Sequence, residues 1–528
     1  MRPGGAQRMN MRQIYALTDG GDYRLEVRDF GSIERADVEF RPLTVFVGPS
    51  NTGKSYLATL SYALHRYFAA EADPYAWGFR RFPRVLDRGP DGTPPLELPS
   101  ELASWAATIT TDDELPRLPG SVGAAVSAEI ERGERVAGPL REEIVRTFGT
   151  ATAAELVRRS TSGVAEVVVA PSKPVKVGLH GYRIRVEGDQ IDVQGLVSES
   201  TDPLAAIGRS PQAKRWTHLL RREALRYQWL VSDERAGNRI QTLRLKQIVG
   251  QLAEAARHPV VGPLKRLVHY LPADRTGIMH SHKMVVAAIV QNAAKAGLRQ
   301  APDVPTLSGV LTDFLEELIR MGDNNGREKR FQKAEHVAAE LERVVLGGTV
   351  RVESSETNYP EFLYRPEGWS GDLSLMRSSS MVSELAPLVL YLRHVVERGD
   401  VLIIEEPESH LHPAMQVEVI GRIARIVGAG VRVIVTTHSE WVLEGLSNLV
   451  LASKLAEAEQ RDVGLDGLSL SAEDVGVWVF KAGDSGGGSI VSELNLEDAR
   501  LYSSSFDDVA ASTYNKWATI ADLVERGQ

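Results

Sequence analysis

Short apolar runs that stop abruptly at a glycine or an acidic pair alternate along this chain with stretches of helical period. Tyr23–Val27 and Ile33–Phe40 alternate apolar and polar residues as half-buried strands do, with a Gly31-Ser32 turn between them. Leu43–Val47 is continuously apolar and ends at Gly48, and from Lys54 to Ala69 the apolar residues Leu57, Leu60, Leu64 and Phe68 recur at helical spacing. The reading is strand, glycine loop, helix. Residues 73–120, rich in Pro, Gly and Asp, read as loops with short helices. Helices are expected at Gly138–Phe148 and Thr152–Arg159, then short antiparallel strands at Val164–Ala170, Val175–Leu179, Tyr182–Glu187 and Gln190–Val193. Helical patterns follow at Gln212–Trp229, Arg239–Ala256, Thr306–Met321 and Lys329–Val345, too short for a long coiled coil. Strands return at Thr349–Glu353 and Glu361–Tyr364, and a helix at Ser380–Val396. Val401–Ile404 and Val431–Val435 are apolar strands around a helical Ala414–Val427. Val477–Phe480 and Ile490–Leu494 add two strands before a final helix.

Composition narrows the class. At 528 residues the chain exceeds one ordinary core. Hydrophobic residues make up 43% and charged residues 25%, as in a soluble globular protein. A net charge of −9 excludes a uniformly basic nucleic-acid glove. With no cysteine there is no disulfide, thiolate-held zinc or thiol catalysis. No apolar run reaches the length of a membrane helix, and the N-terminal residues lack the apolar core of a signal peptide. The expected location is the cytoplasm, without membrane association. Residues 1–22 read as a leader, in which Met9 and Met11 are alternative starts.

Gly48-Pro49-Ser50-Asn51-Thr52-Gly53-Lys54-Ser55 is a complete phosphate-binding loop between an apolar strand and a helix. In such a loop the main-chain N–H groups and the N-terminal end of the helix cradle the phosphates. Lys54 is the cation for the β- and γ-phosphates, the Ser55 hydroxyl a Mg2+ ligand, and Gly48 through Tyr56 the nucleotide-binding stretch. The complement is a carboxylate at the end of a neighbouring strand. Val401-Leu402-Ile403-Ile404-Glu405-Glu406-Pro407 supplies two, where ligands bind in parallel α/β sheets. Glu405 is the candidate Mg2+ ligand and Glu406 the residue that orients and polarises water. After the next strand, Thr436-Thr437-His438-Ser439 offers His438 as a γ-phosphate sensor. His410 and His412 find no third ligand nearby, so they are not read as a metal site.

The order of phosphate loop, carboxylate pair with proline, then strand and histidine resembles ABC-type ATPases, over roughly 23–70 and 370–450. It is most similar to the OLD/RecF-like group of AAA family ATPases, some of which serve bacterial anti-phage defence. The resemblance rests on Gly48–Ser55, Ser378–Leu390, Glu405–Pro413 and Thr436–Ser439, with a further likeness at Leu271-Pro272-Ala273-Asp274-Arg275 whose role is open. It implies an α/β P-loop NTPase fold, an ABC-ATPase-like head with an antiparallel β-subdomain and a large, mainly helical insertion. The head takes 23–72 and 371–528, and the insertion 73–370. It also implies ATP and Mg2+ as cofactors and a homodimer or higher homo-oligomer closed by an ATP sandwich. Ser379, Ser380, Ser383 and Glu384 stand where a degenerate signature helix would meet the partner's nucleotide. The LSGGQ form of that signature is absent.

An ATP-gated dimeric switch that hydrolyses ATP and controls a separate effector, a nuclease or toxin, is the function these features imply. The relatives' C-terminal nuclease is not expected here, since Asp507 and Asp508 are isolated acids near the end of the chain. A RecF- or SMC-like DNA-repair ATPase is the alternative. A transporter subunit is disfavoured by the signature and the insertion, and a scaffold without turnover by the presence of both Glu406 and His438. Basic residues at Lys214–Arg226 and Arg239–Lys246, near Trp216, Tyr227 and Trp229, keep DNA open as a partner, although solvated helix faces explain them more simply.

Overall fold

The computed structural model describes residues 21–72, 98–110, 115–134, 137–159, 163–173, 179–197, 213–232, 238–295, 307–321, 331–354, 360–465, 467–483, 487–494 and 512–517. The leader through residue 20, all of 73–97, the strand expected at Val175–Leu179 except its last residue, and Asp507 and Asp508 lie outside them.

In chain order the elements are β1 (Tyr23–Phe30), β2 (Ile33–Phe40), β3 (Leu43–Val47), α1 (Lys54–Ala72), α2 (Ser100–Thr108), α3 (Gly120–Glu134), α4 (Ala137–Phe148), β4 (Val164–Pro171), β5 (Leu179–Glu187), β6 (Gln190–Val197), α5 (Ala213–Ser232), α6 (Asn238–Val261) and β7 (Val268–Leu271). There follow α7 (Arg275–Lys295), α8 (Gly309–Arg320), α9 (Gln332–Leu341), β8 (Gly348–Ser354), β9 (Pro360–Pro366), β10 (Leu373–Ser374), α10 (Ser380–His394), β11 (Val401–Glu405), α11 (Pro413–Gly428), β12 (Arg432–Thr437), α12 (Glu440–Ala452), α13 (Glu457–Asp462), β13 (Val475–Ala482) and β14 (Ser489–Glu493). Residues 512–517 are helical. The class is α/β.

Two compact units divide the chain. The first takes the described residues of 1–30, 64–144 and 152–266, the second those of 31–63, 145–151 and 267–528. Helix α1 contributes to the second through Ala63 and to the first from Leu64. Residues 267–370, read from the sequence as insertion, are counted in the second unit.

The first unit pairs β6, β5, β4 and β1 antiparallel, in that order. Its helices α2, α3, α5 and α6 bury Trp105, Val126, Trp216, Leu220, Tyr227 and Leu252 in a core of their own. The helix expected at Thr152–Arg159 is instead one 3-10 turn, Ala153–Leu156. Its capping box of Thr152 and Glu155 is formed, but Val157 bridges to Phe30 and the Arg158 N–H donates to the Asp29 carbonyl, so tertiary pairing draws the chain into extended form.

The second unit is organised on strands in the order β2-β14-β13-β3-β12-β11-β7. From β13 to β7 the neighbours run parallel. Both β3 and β11 are buried at every residue, as a strand covered on both faces must be, and this is why they read as unbroken apolar runs. Helices α8 to α12 cover them through Phe314, Leu341, Leu388, Ile423 and Leu446. Strands β8, β9 and β10 form a small antiparallel sheet. Parallel order puts the ends of β3, β12, β11 and β7 at one edge, and register fixes them closely: Val47 is opposite Thr437, Glu405 opposite Thr436, and Ile404 opposite Leu271. A crevice beyond such an edge is where this architecture binds ligands.

Candidate nucleotide site

The phosphate loop leaves β3 through a backbone only glycine allows. Gly48 has φ +147°, and a Cβ there would sit 2.4 Å from the Phe480 carbonyl oxygen at the neighbouring end of β13. Gly53 has φ +92°, and its Cβ would meet Ile33 Cγ1 and Ser32 Oγ at 2.7 Å. Asn51, at φ +64°, takes the left-handed position that Asn tolerates better than most residues. The Thr52 hydroxyl donates to the Pro49 carbonyl at 2.8 Å, and the Ser489 hydroxyl donates to the Thr52 carbonyl. Pro49, Ser50, Asn51 and Ser55 are exposed. The Tyr56 ring packs 5.4 Å from that of Phe148 and covers Gly31, so its side chain is used within the fold.

Lys54 is buried and folds back over the loop, donating from Nζ to the Gly48 and Pro49 carbonyls at 2.9 and 2.8 Å. His438 Nδ1 is 3.4 Å from the same nitrogen. Burial pushes the ammonium down to about 8, while Glu406, Glu408 and Glu405 pull it back up. Helix α1, which carries Lys54 on its first turn, is anchored by the Tyr62 hydroxyl donating to Asp313 at 2.9 Å and by Thr59 against the Tyr270 hydroxyl at 3.3 Å.

The two carboxylates behave differently. Glu405 is buried at the last position of β11 and accepts the Ala273 N–H at 3.1 Å. Burial, then the Glu405 charge, holds the Tyr270 phenol well above its ordinary value. Glu406 turns out of the strand at φ +43° and is half-buried. Its Oε1 lies 3.1 Å from His438 Nε2, and its Oε2 accepts the Ser409 hydroxyl at 3.2 Å. The His438 hydrogen bond holds its carboxyl below the usual range, against the opposing effect of burial. The structure therefore brings Lys54, His438 and Glu406 together in one line.

Sequence reasoning placed Glu408, with Ser409, His410 and His412, on a loop at the dimer interface and missed its contacts to Thr437 and His438. Glu408 Oε1 accepts the Thr437 hydroxyl at 2.6 Å and the His438 N–H at 2.8 Å, which fixes the turn that presents His438. Burial pushes this carboxyl up. It also missed β7 and α7, which bring Ala273 and Arg275 to the site. The signal was Val268-His269-Tyr270-Leu271, a short apolar-rich run that stops at Pro272 just as Val401–Ile404 stops at the acidic pair. Among the described residues no group of three or more His, Cys, Asp or Glu is placed to hold a metal ion. His412 caps α11 through Nδ1, and His410 sits at φ +61°.

The signature expectation is corrected for two of its four residues. The Ser383 hydroxyl is fully buried against His280 Nε2 at 2.9 Å and the Leu375 carbonyl at 3.1 Å. The Glu384 carboxylate is enclosed and paired with Arg275 and the Thr276 hydroxyl. Both are engaged within their own chain and present nothing to a partner. Ser379 and Ser380 are exposed at the start of α10, where Ser379 caps the helix by accepting the Val382 N–H.

Residues 305–443 match the family model described as an AAA ATPase domain. That stretch holds Glu405, Glu406 and His438 and leaves the phosphate loop ahead of it. No curated protein matches the chain. Among solved structures it is similar to an Smc head bound to the C-winged helix domain of ScpA, at 12% identity over 90% of this chain and 98% of that one, with a TM-score of 0.37. It is also similar to an Smc head with an extended coiled coil bound to the C-terminal domain of ScpA derived from Pyrococcus furiosus, at 13% identity over 90% and 97%, TM-score 0.34. An SMC head domain from Thermotoga maritima is similar at 11% identity over 90% and 99%, TM-score 0.31. No described helix is long and apolar enough to cross a membrane. The stretch 305–443, which holds the acidic strand end opposite the phosphate loop, is therefore similar to an AAA ATPase domain.

Proposed function

We propose that this chain binds ATP with Mg2+ and hydrolyses it, and that ATP closes two copies over their nucleotides to form a cytoplasmic switch acting on a separate effector protein. The observation that carries the hydrolytic part is the line Lys54–His438–Glu406, with Nζ to Nδ1 at 3.4 Å and Nε2 to Oε1 at 3.1 Å. Lys54 meets the β- and γ-phosphates, which take over from the loop carbonyls as its acceptors. His438, steadied by Glu408 at its backbone, senses the γ-phosphate. Glu406 is kept ionised by His438 and accepts the proton of the attacking water. The donor set suits Mg2+: hard oxygens from the exposed Ser55 hydroxyl and the Glu405 carboxylate, few in number, as sites shared with phosphates require. When bound, the ion neutralises charge developing on the transferred phosphoryl group.

The switch rests on the resemblance to OLD/RecF-like ATPases and on Ser379 and Ser380, exposed at the start of a helix. We place its role in bacterial anti-phage defence, with a nuclease or toxin as the effector. Glu406→Gln tests the whole reading. The variant should bind ATP as the parent does, release phosphate at least about a hundredfold more slowly, and accumulate as a closed dimer. Normal turnover would remove Glu406 from its role, and a monomer with trapped ATP would remove the switch.

A further inference from the structure

Arg275 is a fully buried cation whose donors go mostly to main chain. Its Nε donates to the Glu384 carbonyl at 3.0 Å, Nη1 to the Pro272 carbonyl at 2.9 Å and the Glu405 carbonyl at 2.5 Å, and Nη2 to the Glu406 carbonyl at 3.0 Å. Its countercharge is the buried Glu384 carboxylate, which also accepts the Thr276 hydroxyl. Burying such a pair seldom adds net stability over well-packed apolar residues, so stability alone does not account for it.

The two carbonyls it grips flank the Glu406 Cα. That residue sits at φ +43°, a conformation that costs a non-glycine residue about 1–2 kcal/mol. Three main-chain bonds hold it there: Arg275 to the Glu405 carbonyl, Arg275 to the Glu406 carbonyl, and the Glu406 N–H to the Thr436 carbonyl at 2.9 Å. In this turned-out conformation the carboxylate leaves the line of β11 and reaches His438. The same guanidinium is fastened to α10, whose first turn carries the exposed Ser379 and Ser380 one helical turn before Glu384.

We propose that Arg275 is the positioning residue for Glu406: it locks the left-handed turn that aims the carboxylate at His438 and ties that turn to the start of α10 through Glu384. The proposal rests on Glu406 as the group that handles the attacking water. A guanidinium fork is required, because a lysine ammonium cannot reach both carbonyls and the Glu384 backbone together.

The test measures phosphate release, ATP affinity and the His438 ring carbon resonance of nucleotide-free protein in the parent, Arg275→Lys and Thr276→Val. Arg275→Lys should lower kcat about tenfold or more with ATP affinity within about twofold, and should move the His438 resonance. Thr276→Val, which removes only a hydroxyl from Glu384, should lower kcat about threefold at unchanged affinity and keeps the test open if Arg275→Lys does not fold. Parental kcat and an unmoved resonance in either variant overturn the proposal, as do parallel losses of ATP affinity and kcat. A parent that releases no phosphate sinks the hydrolytic reading instead, and the resonance then decides on Arg275.

Discussion

His438 Nε2 stands 3.1 Å from Glu406 Oε1, and this contact is the largest influence holding the Glu406 carboxyl below its ordinary range. A depressed carboxylate stays ionised below the pH at which an ordinary glutamate takes up its proton, and is lost only as pH falls through its own lowered value. The acid limb of the kcat profile should therefore lie below the usual carboxylate range. Removing the imidazole in His438→Ala should move that limb to higher pH, as well as lowering the maximum. A pH–kcat series on both proteins checks this, and coincident acid limbs would show that the hydrogen bond does not tune Glu406.

Lys54 makes the opposite prediction on the alkaline side. Buried under its own loop, it titrates near about 8 instead of the ordinary 10.5. Between those values the unfolded chain binds the extra proton, so stability rises with pH across that window. Phosphates restore the charge. ATP binding at pH 9 should take up a proton, seen as a dependence of the calorimetric enthalpy on the buffer's ionisation heat that is absent at pH 7. Lys54→Met should abolish ATP binding and yet raise the thermal midpoint at pH 7. A midpoint that falls would mean the carbonyls of Gly48 and Pro49 need the ammonium more than burial opposes it.

The residues of the candidate site stood out in the sequence because each ends a strand buried on both faces. β3, β11 and β12 are short apolar runs that stop at Gly48, at Glu405-Glu406 and at Thr437-His438, and parallel pairing turns those stops into neighbours. Helix α7 was not legible, since its start, Arg275 to Lys283, mixes Gly277, His280 and His282 into the apolar period. Helix α3 hid for a related reason: it buries small residues, Val122, Ala125 and Val126, from a glycine-rich stretch. The serines before α10 read as one recognition surface because spacing cannot tell that Ser383 and Glu384 point into their own unit.

Glu408 offers a graded test of how the turn that presents His438 is held. Its Oε1 serves both the Thr437 hydroxyl and the His438 N–H, so Glu408→Ala leaves two buried donors without an acceptor, at about 1–3 kcal/mol. Glu408→Gln keeps an acceptor at that place and removes only a charge that burial already disfavours. The alanine variant should therefore lose stability and most of its phosphate release, and the glutamine variant little of either. Equal behaviour in thermal melts and turnover would assign the carboxylate's charge, not its acceptor, to the job.

The first unit bears on DNA. Glu223 on α5 is nearly enclosed and gathers Arg222 at 3.4 Å, Arg226 at 2.7 Å and Arg244 at 3.1 Å, so much of the basic character of α5 and α6 is neutralised where it stands. Trp216 and Tyr227 face the core of that unit, and of the aromatics in this region only Trp229 is exposed. Stacking on bases needs open ring faces, and phosphate binding needs free cations. Arg222→Gln with Arg226→Gln should therefore leave retention of duplex DNA and its salt slope unchanged. Glu223→Gln strips the shared countercharge from three arginines, and its cost in stability should be about 1–3 kcal/mol, moderated because the arginines are partly exposed. A double arginine variant that loses DNA with a flatter salt slope would instead return these helices to a nucleic-acid role.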